Sequence, residues 1–486
     1  MLRILNQSVR AIFGRNNTAD VVRLLSGSSL AQVISLLSAP IIARLYAPDV
    51  FGTLSLFTSV IAIVGVVACL RYEHAIMIVD SDHKALNLLA ISLAFAAIVS
   101  VLTAFIMWLI SPTLVHFYNI SSIQLLNWSL PTGVFWTGTL SAFTYWSLRN
   151  SKFNLISMSR ISGASVTASI SLGLGLKGLT DVTSLIFANV GGTIIAALAV
   201  SVPTWTFIWR SDQLHLKARE FIADARQFKS FPIYDSRSTL LNTFSWQLPS
   251  LLLNAFFAPA IAGYYALGFR ILQLPMSLLG TAIGQVFYQR ASHANMEGSL
   301  VSLVQTSFHK LVIISLFPML ILALLGRDIF IVVFGSNWAE AGTYVQLLSP
   351  WAFFWFISSP LSTIFNVLQR QRHLLTWNIQ NFLWRFVALV VGGFIGNPRI
   401  SVFLFSLAGI ILYSYITVEI LHISGVSLAT AMRILIMECL FAAPSAFVLF
   451  LTATFALPST YKVAIALIVY TIYVALRVGA RSTFEM

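Results

Sequence analysis

The sequence predicts an all-α polytopic membrane protein of about fourteen transmembrane helices, built as two pseudo-symmetric six-helix bundles plus two C-terminal helices. Three observations predict it. Of 486 residues, 58% are hydrophobic and only 9% charged, where soluble domains carry about 25% charged residues. Apolar stretches of the roughly 20 residues needed to cross a bilayer recur along the whole chain. Finally, Ala47-Pro48-x-x-x-Gly52 returns 211 positions later as Ala258-Pro259-x-x-x-Gly263, each time between the first and second spans of its half.

Taken in order, residues 1–20 are polar and basic (Arg3, Arg10, Arg15). No small-residue cleavage site follows a short apolar core, so no cleaved signal peptide is expected. The first bundle, 1–208, holds spans 22–45, 50–70, 85–110, 126–146, 161–177 and 184–208. A cytoplasmic linker, 209–232, follows. The second bundle, 233–423, holds spans 233–257, 261–287, 307–326, 344–367, 376–396 and 402–422. Spans 433–454 and 461–479 make up the added region, 424–486. Each repeated motif reads as a turn, with a helix-stopping proline at one end and a flexible glycine at the other.

An even number of spans puts both termini on one side. With that side cytoplasmic, 22 of the 29 Lys and Arg residues fall in inner loops and termini. Five (Arg44, Lys177, Arg327, Arg399, Lys462) lie at outer ends, and two, Arg270 and Arg385, stay inside the membrane. Basic residues hold loops on the cytoplasmic side, so the net charge of +13 belongs to topology and not to nucleic acid. Within the linker, 214–231 mixes charges with apolar residues at helical spacing, which fits a short surface helix or a plain basic connection.

Several functions are excluded. Cys69 and Cys439 fall in apolar segments, which rules out a disulfide framework or a cysteine metal site. Gly173-x-Gly175-x-x-Gly178 imitates a dinucleotide fingerprint, but it closes a membrane span and follows no strand. Walker A, HExxH and paired-carboxylate patterns are missing. We therefore expect no enzyme, no catalytic residues, no metal and no cofactor.

The membrane arginines carry the functional reading. Taking 1.5 Å per residue, each sits about 13 Å from one boundary of a core about 30 Å thick, on helices running in opposite directions. Arg270, Gln273, Ser277, Thr281 and Gln285 step by three or four, as does Asn378, Asn381, Arg385, and that spacing marks one helix face. The first span offers Ser28, Gln32 and Ser35, and the seventh Asn242, Trp246 and Gln247 ahead of Pro249. Four polar faces suggest a wet cavity, with Gln32, Asn242, Trp246, Gln247, Gln273, Asn378 and Asn381 as candidate sugar contacts. An internal salt bridge is the plain alternative, but no acid lies at the depth of the arginines: Glu419 and Glu438 stand about 5 and 8 Å from the inner boundary. Buried arginine is costly, so an incoming anion is the expected counter-ion, and diphosphate matches the bidentate guanidinium fork.

Arg71 and Glu73 at the inner end of the second span, with Asp235 and Arg237 at that of the seventh, read as a cytoplasmic gate or as ordinary interfacial charges. Glu419 shares a face with His422 and is a candidate to carry a coupling proton.

A family resemblance rests on further residues. Phe231-Pro232-x-Tyr234, Gln247-Leu248-Pro249, Gly263-x-Tyr265-x-Leu267, Arg270-Ile271-Leu272-x-x-Pro275 and Gly284-Gln285-Val286-Phe287 resemble the polysaccharide repeat-unit (Wzx-type) flippases of the multidrug/oligosaccharidyl-lipid/polysaccharide exporter superfamily. Arg71-Tyr72-Glu73-x-Ala75-Ile76 and Phe334-Gly335-x-x-Trp338-x-x-Ala341-Gly342 add to the likeness. The resemblance implies a V-shaped pair of bundles of the MATE and MurJ kind in the bacterial inner membrane. It implies alternating access that moves undecaprenyl-diphosphate-linked oligosaccharide to the outer leaflet for O-antigen, capsule or exopolysaccharide. Arg270 and Arg385 would bind the diphosphate. A polysaccharide polymerase, a chain-length regulator and a coupling ion (H+ or Na+) are the further partners it implies, beside membrane lipids. The alternatives are a lipid II flippase, or a multidrug exporter, for which buried carboxylates would be expected. A membrane glycosyltransferase would need a larger extramembrane segment than this chain provides.

Overall fold

The computed structural model describes residues 27–118, 123–210 and 218–484. The basic N-terminus, the start of the first span and linker residues 211–217 lie outside the described residues. Every regular element among those described is helical. Ten of the helices are long and apolar enough to cross a membrane, so the protein is a multi-pass membrane protein, as its composition dictates.

The chain divides into two compact units, Met1–Leu251 and Leu252–Met486. In the first lie α1 (Gly27–Leu45), α2 (Pro48–Gly65), α3 (Tyr72–Ala75), α4 (Asp82–Tyr118), α5 (Ile123–Arg149), α6 (Phe153–Leu176), α7 (Val182–Arg210) and α8 (Ala218–Gln227). Then α9 (Ser236–Phe256) runs across the division. In the second lie α10 (Pro259–Pro275), α11 (Thr281–Glu297), α12 (Leu300–Phe334), α13 (Ala339–Leu361), α14 (Ile364–Val367), α15 (Gln371–Ile395), α16 (Pro398–Ile423), α17 (Leu428–Thr454) and α18 (Ser459–Phe484).

Within the first unit α5 packs on α2, α4 and α7, and α6 packs on α7. The short α8 lies against α4. It buries Phe221 and Ala225 against a core that includes Tyr72, Ile76 and Leu89, and Asn87 Nδ2 donates to Asp224 Oδ2 at 2.8 Å. In the second unit α13 packs on α10, α12 and α16, while α15 leans on α16. The α12–α13 seam is tight because two glycines meet: a Cβ on Gly342 would stand 2.5 Å from the Gly326 carbonyl oxygen. Small residues let membrane helices approach this closely.

The repeated motif differs from its expected geometry. Pro48 and Pro259 do not stop helices. Each opens one, from an extended alanine with φ/ψ of −73°/157° at Ala47 and −68°/151° at Ala258. Proline suits the first helical position because its missing N–H has no partner there anyway. The glycines are not turn residues either: Gly52 and Gly263 are buried within α2 and α10.

Three predicted spans are also broken where hydropathy shows nothing. The second span stops at Gly65 and turns through Leu70 and Arg71, whose φ values are +48° and +64°. The eighth breaks after Pro275 into a π turn, Met276–Gly280, since proline removes a helical hydrogen bond. The tenth breaks between α13 and α14, just after Pro360. The first two breaks are related by the repeat, because the end of α2 at Gly65 moves by 211 positions onto Met276.

Candidate functional site

In the second unit the polar stripe of α15 meets unequal surroundings. Asn378 is exposed, whereas Asn381 and Arg385 are buried. Asn381 Oδ1 is enclosed without a hydrogen-bond partner among the described residues. The Arg385 guanidinium, 2% exposed, donates to Tyr413 Oη at 3.2 Å. It lies 5.2 Å from the Trp351 ring centroid, 5.3 Å from Phe405 and 5.6 Å from Tyr413. Aromatic faces hold a desolvated cation by about 2 kcal/mol. Gly409 leaves the room for this arrangement, because a Cβ there would fall 2.2 Å from Trp351 Cδ1. The expected wet face is therefore corrected at Arg385. What surrounds it is an aromatic pocket drawn from α13 and α16, while Leu383, Trp384 and Phe386 of the same helix point outward.

Arg270 stands in another environment. Its side chain is exposed, while its neighbour Phe269 stacks on Trp351 at 6.0 Å and on Trp355 at 6.1 Å. With 3.6 residues per turn, adjacent side chains point about 100° apart, so Phe269 faces the aromatic column and Arg270 turns away from it. Gln273 and Gln285 are exposed like Arg270, and Ser277 Oγ donates to the Leu274 carbonyl at 3.0 Å. The Thr281 side chain lies outside the described ones.

In the first unit the structure brings three of the four gate candidates together. Arg71 Nε donates to Asp235 Oδ2 at 2.9 Å, and its Nη1 lies 3.9 Å from Glu73 Oε1. Glu73 is 2% exposed and accepts from Ser141 Oγ at 3.4 Å, while its Oε2 is buried without a partner among the described residues. Burial pushes the Glu73 carboxyl above its usual range, against the opposing backbone hydrogen bond and the Arg71 charge. His74 Nδ1 sits 3.5 Å from both Asp235 Oδ2 and Arg71 Nη2, and burial, with the Arg71 charge, pulls its pKa down. Arg237 is exposed and stays apart from this cluster.

The remaining candidates are placed as follows. Gln32 and Trp246 are half-buried and Asn242 is exposed. Gln247 Oε1 accepts from Ser59 Oγ at 3.0 Å. Glu419 meets His373 Nδ1, from α15, at 2.9 Å. Glu438 is fixed between His309 Nε2 at 2.6 Å and Arg477. Among the described residues no group of three or more His, Cys, Asp or Glu side chains is placed to hold a metal ion.

Sequence reasoning missed His74, although it directly follows the charged run Arg71–Glu73 and adjacency alone pointed to it. It also missed Trp351, Phe405 and Tyr413, which come from α13 and α16 and carry no local mark that separates them from the other aromatics.

Comparisons with known proteins give the family and the fold. The sequence profile of the polysaccharide biosynthesis protein family matches residues 41–343. No curated protein matches the sequence. The fold is shared with the lipid II flippase MurJ in an inward closed conformation: TM-score 0.72 at 12% identity, covering 94% of this chain and 98% of that one. It is shared with an inward-facing multidrug resistance MATE family transporter of the MOP superfamily: TM-score 0.61, 14% identity, 87% and 99% covered. A MOP superfamily transporter from Pyrococcus furiosus, described as having a binding pocket of reverse polarity, gives 0.57 at 13% identity, with 88% and 98% covered. These solved structures thus supply the fold, and the profile match, spanning more than half of the sequence, supplies the family: this chain belongs to the polysaccharide biosynthesis protein family.

Proposed function

We propose that the protein flips undecaprenyl-diphosphate-linked oligosaccharide repeat units from the inner to the outer leaflet of the bacterial inner membrane, by alternating access, for O-antigen, capsule or exopolysaccharide. In this reading both termini are cytoplasmic, and a polymerase and a chain-length regulator receive the product. The observation that carries it is membership of the polysaccharide biosynthesis family, together with Arg270, an arginine inside the eighth predicted span. A cation facing acyl chains is costly, whereas one lining a substrate path can take an anionic group, and a diphosphate takes guanidinium bidentately.

Arg385 is the second diphosphate ligand of the proposal. Here it is covered by Trp351, Phe405 and Tyr413, so it reaches substrate only when α15 shifts against α13 and α16 during the cycle. Gln32, Asn242, Trp246, Gln247, Gln273, Asn378 and Asn381 meet the sugars. Arg71, Glu73 and Asp235, joined by His74, close the cytoplasmic side, with exposed Arg237 at the rim. Glu419, paired with His373, carries the proton if the cycle is ion-driven.

The second reading is a lipid II flippase, favoured by the likeness to MurJ. It needs the same diphosphate grip, so the two differ in the sugars. A multidrug exporter is disfavoured, because drug cations call for carboxylates where this chain has arginine. Surface polysaccharide in cells carrying Arg270 variants tests the proposal.

A further inference from the structure

The second unit contains a cavity of about 360 Å³, within the roughly 300–1,000 Å³ range of small-molecule sites. Two broken helices face each other across it. One wall is the π turn with α11, contributing Met276, Gly284, Gln285 and Tyr288, and the other is the α13–α14 break, contributing Pro360 and Asn366. Irregular backbone in a membrane protein is tolerated where it lines a cavity, and π turns gather at functional sites. No charged residue lines this cavity. Gln285, Tyr288 and Asn366 present two amides and a phenol that make no hydrogen bond among the described residues.

The repeat adds a second argument. Moving Gln285 back by 211 positions lands on His74. The equivalent break in the first unit is therefore filled by ions, namely Arg71, Glu73, His74 and Asp235. Its counterpart in the second unit is neutral and open. We infer that this cavity binds one neutral sugar unit of the substrate. Amides take paired hydroxyls as donor and acceptor at once, the tyrosine offers an aromatic face, and the lack of charge gives no grip to phosphate. On the proposed topology the cavity opens toward the cytoplasmic side, where the glycan must enter. The inference rests on the flippase reading only in calling that sugar part of the substrate.

The test is saturation-transfer NMR on the full protein in nanodiscs, with lactose and diacetylchitobiose as probes that carry neither lipid nor phosphate. The wild type should transfer saturation to sugar ring protons. Affinity should fall about tenfold in the Gln285→Ala/Asn366→Ala variant, as expected from losing two neutral hydrogen bonds. Gly284→Ala should also weaken binding while keeping the fold, since its added methyl would meet Pro360 Cα at 3.6 Å, an ordinary contact. No transfer to either sugar, or unchanged binding in the double variant with normal unfolding temperatures, would overturn the site. Disaccharide binding that persists while surface polysaccharide is indifferent to Arg270→Ala would sink the flippase reading and spare the sugar site.

Discussion

Arg71 and Asp235 join two places that are 164 residues apart in sequence: the break after α2 and the start of α9, linked at 2.9 Å. Arg71 takes a left-handed backbone conformation to do so, with φ +64° directly after Leu70 at +48°. Neither residue is glycine, and such conformations cost about 1–3 kcal/mol each and persist only where the surroundings enforce them. The strain and the ion pair together tie the break after α2 to the start of α9.

If the ion pair holds α9 to the α2 break, Arg71→Ala and Asp235→Asn should each lower the unfolding temperature in detergent, and the double variant should lower it little further. The pair is 14% and 35% exposed, so its coupling in a double-mutant cycle should be about 1 kcal/mol. Fully additive losses would show that the pair is incidental.

Acidification should loosen the same cluster. The pKa of His74 in the fold lies below its ordinary 6.5, so the unfolded chain takes up the proton first as pH falls through 6.5. Its stabilising contribution is complete above that value and is lost as pH falls through the lowered one. Glu73 acts in the opposite sense: raised above 4.5, its contribution is complete below 4.5 and is lost as pH rises through its folded value. Unfolding temperatures between pH 7.5 and 5 should therefore drop less steeply in His74→Gln than in the wild type. Equal slopes would remove His74 from the account.

The aromatic pocket predicts a large effect from one methyl group. Gly409→Ala puts its Cβ on Trp351, and overpacking of that kind costs about 1–3 kcal/mol. It should lower the unfolding temperature and change tryptophan fluorescence. Arg385→Lys, which keeps the charge but loses the planar fork, should be milder than Arg385→Ala. If Gly409→Ala is neutral, Trp351 is not confined as described.

What the sequence revealed follows from what each signal encodes. Apolar runs mark where a chain must be helical in lipid, so the all-helical membrane fold was legible. They do not mark where a helix ends: α12 extends from Leu300 to Phe334, past the apolar stretch 307–326, because helical hydrogen bonding continues through Arg327 and Asp328 to a turn that buries Phe330 and Phe334. The three breaks were missed because prolines, and the strained pair Leu70–Arg71, act through backbone geometry and not hydropathy. The polar spacing placed Asn381 and Arg385 on one face of α15. It could not say that α13 and α16 would cover that face with rings, since those contacts come from residues 20 or more positions away.

The C-terminal helices should depend on one carboxylate. Glu438, 5% exposed, ties α17 to His309 of α12 and Arg477 of α18. His309 and Arg477 stay partly exposed, so removing the carboxylate should cost about 1–3 kcal/mol. Glu438→Ala should expose α17 and α18 to limited proteolysis in detergent, and Glu438→Gln should do so less. An unchanged digestion pattern would show that apolar packing alone holds them.

The central claim is that Arg270 grips an anionic substrate group, and surface polysaccharide measured against membrane protein level tests it most directly. Arg270→Ala should abolish the polysaccharide at normal protein abundance, with Arg270→Lys restoring part of it. Full polysaccharide from the alanine variant would contradict the account.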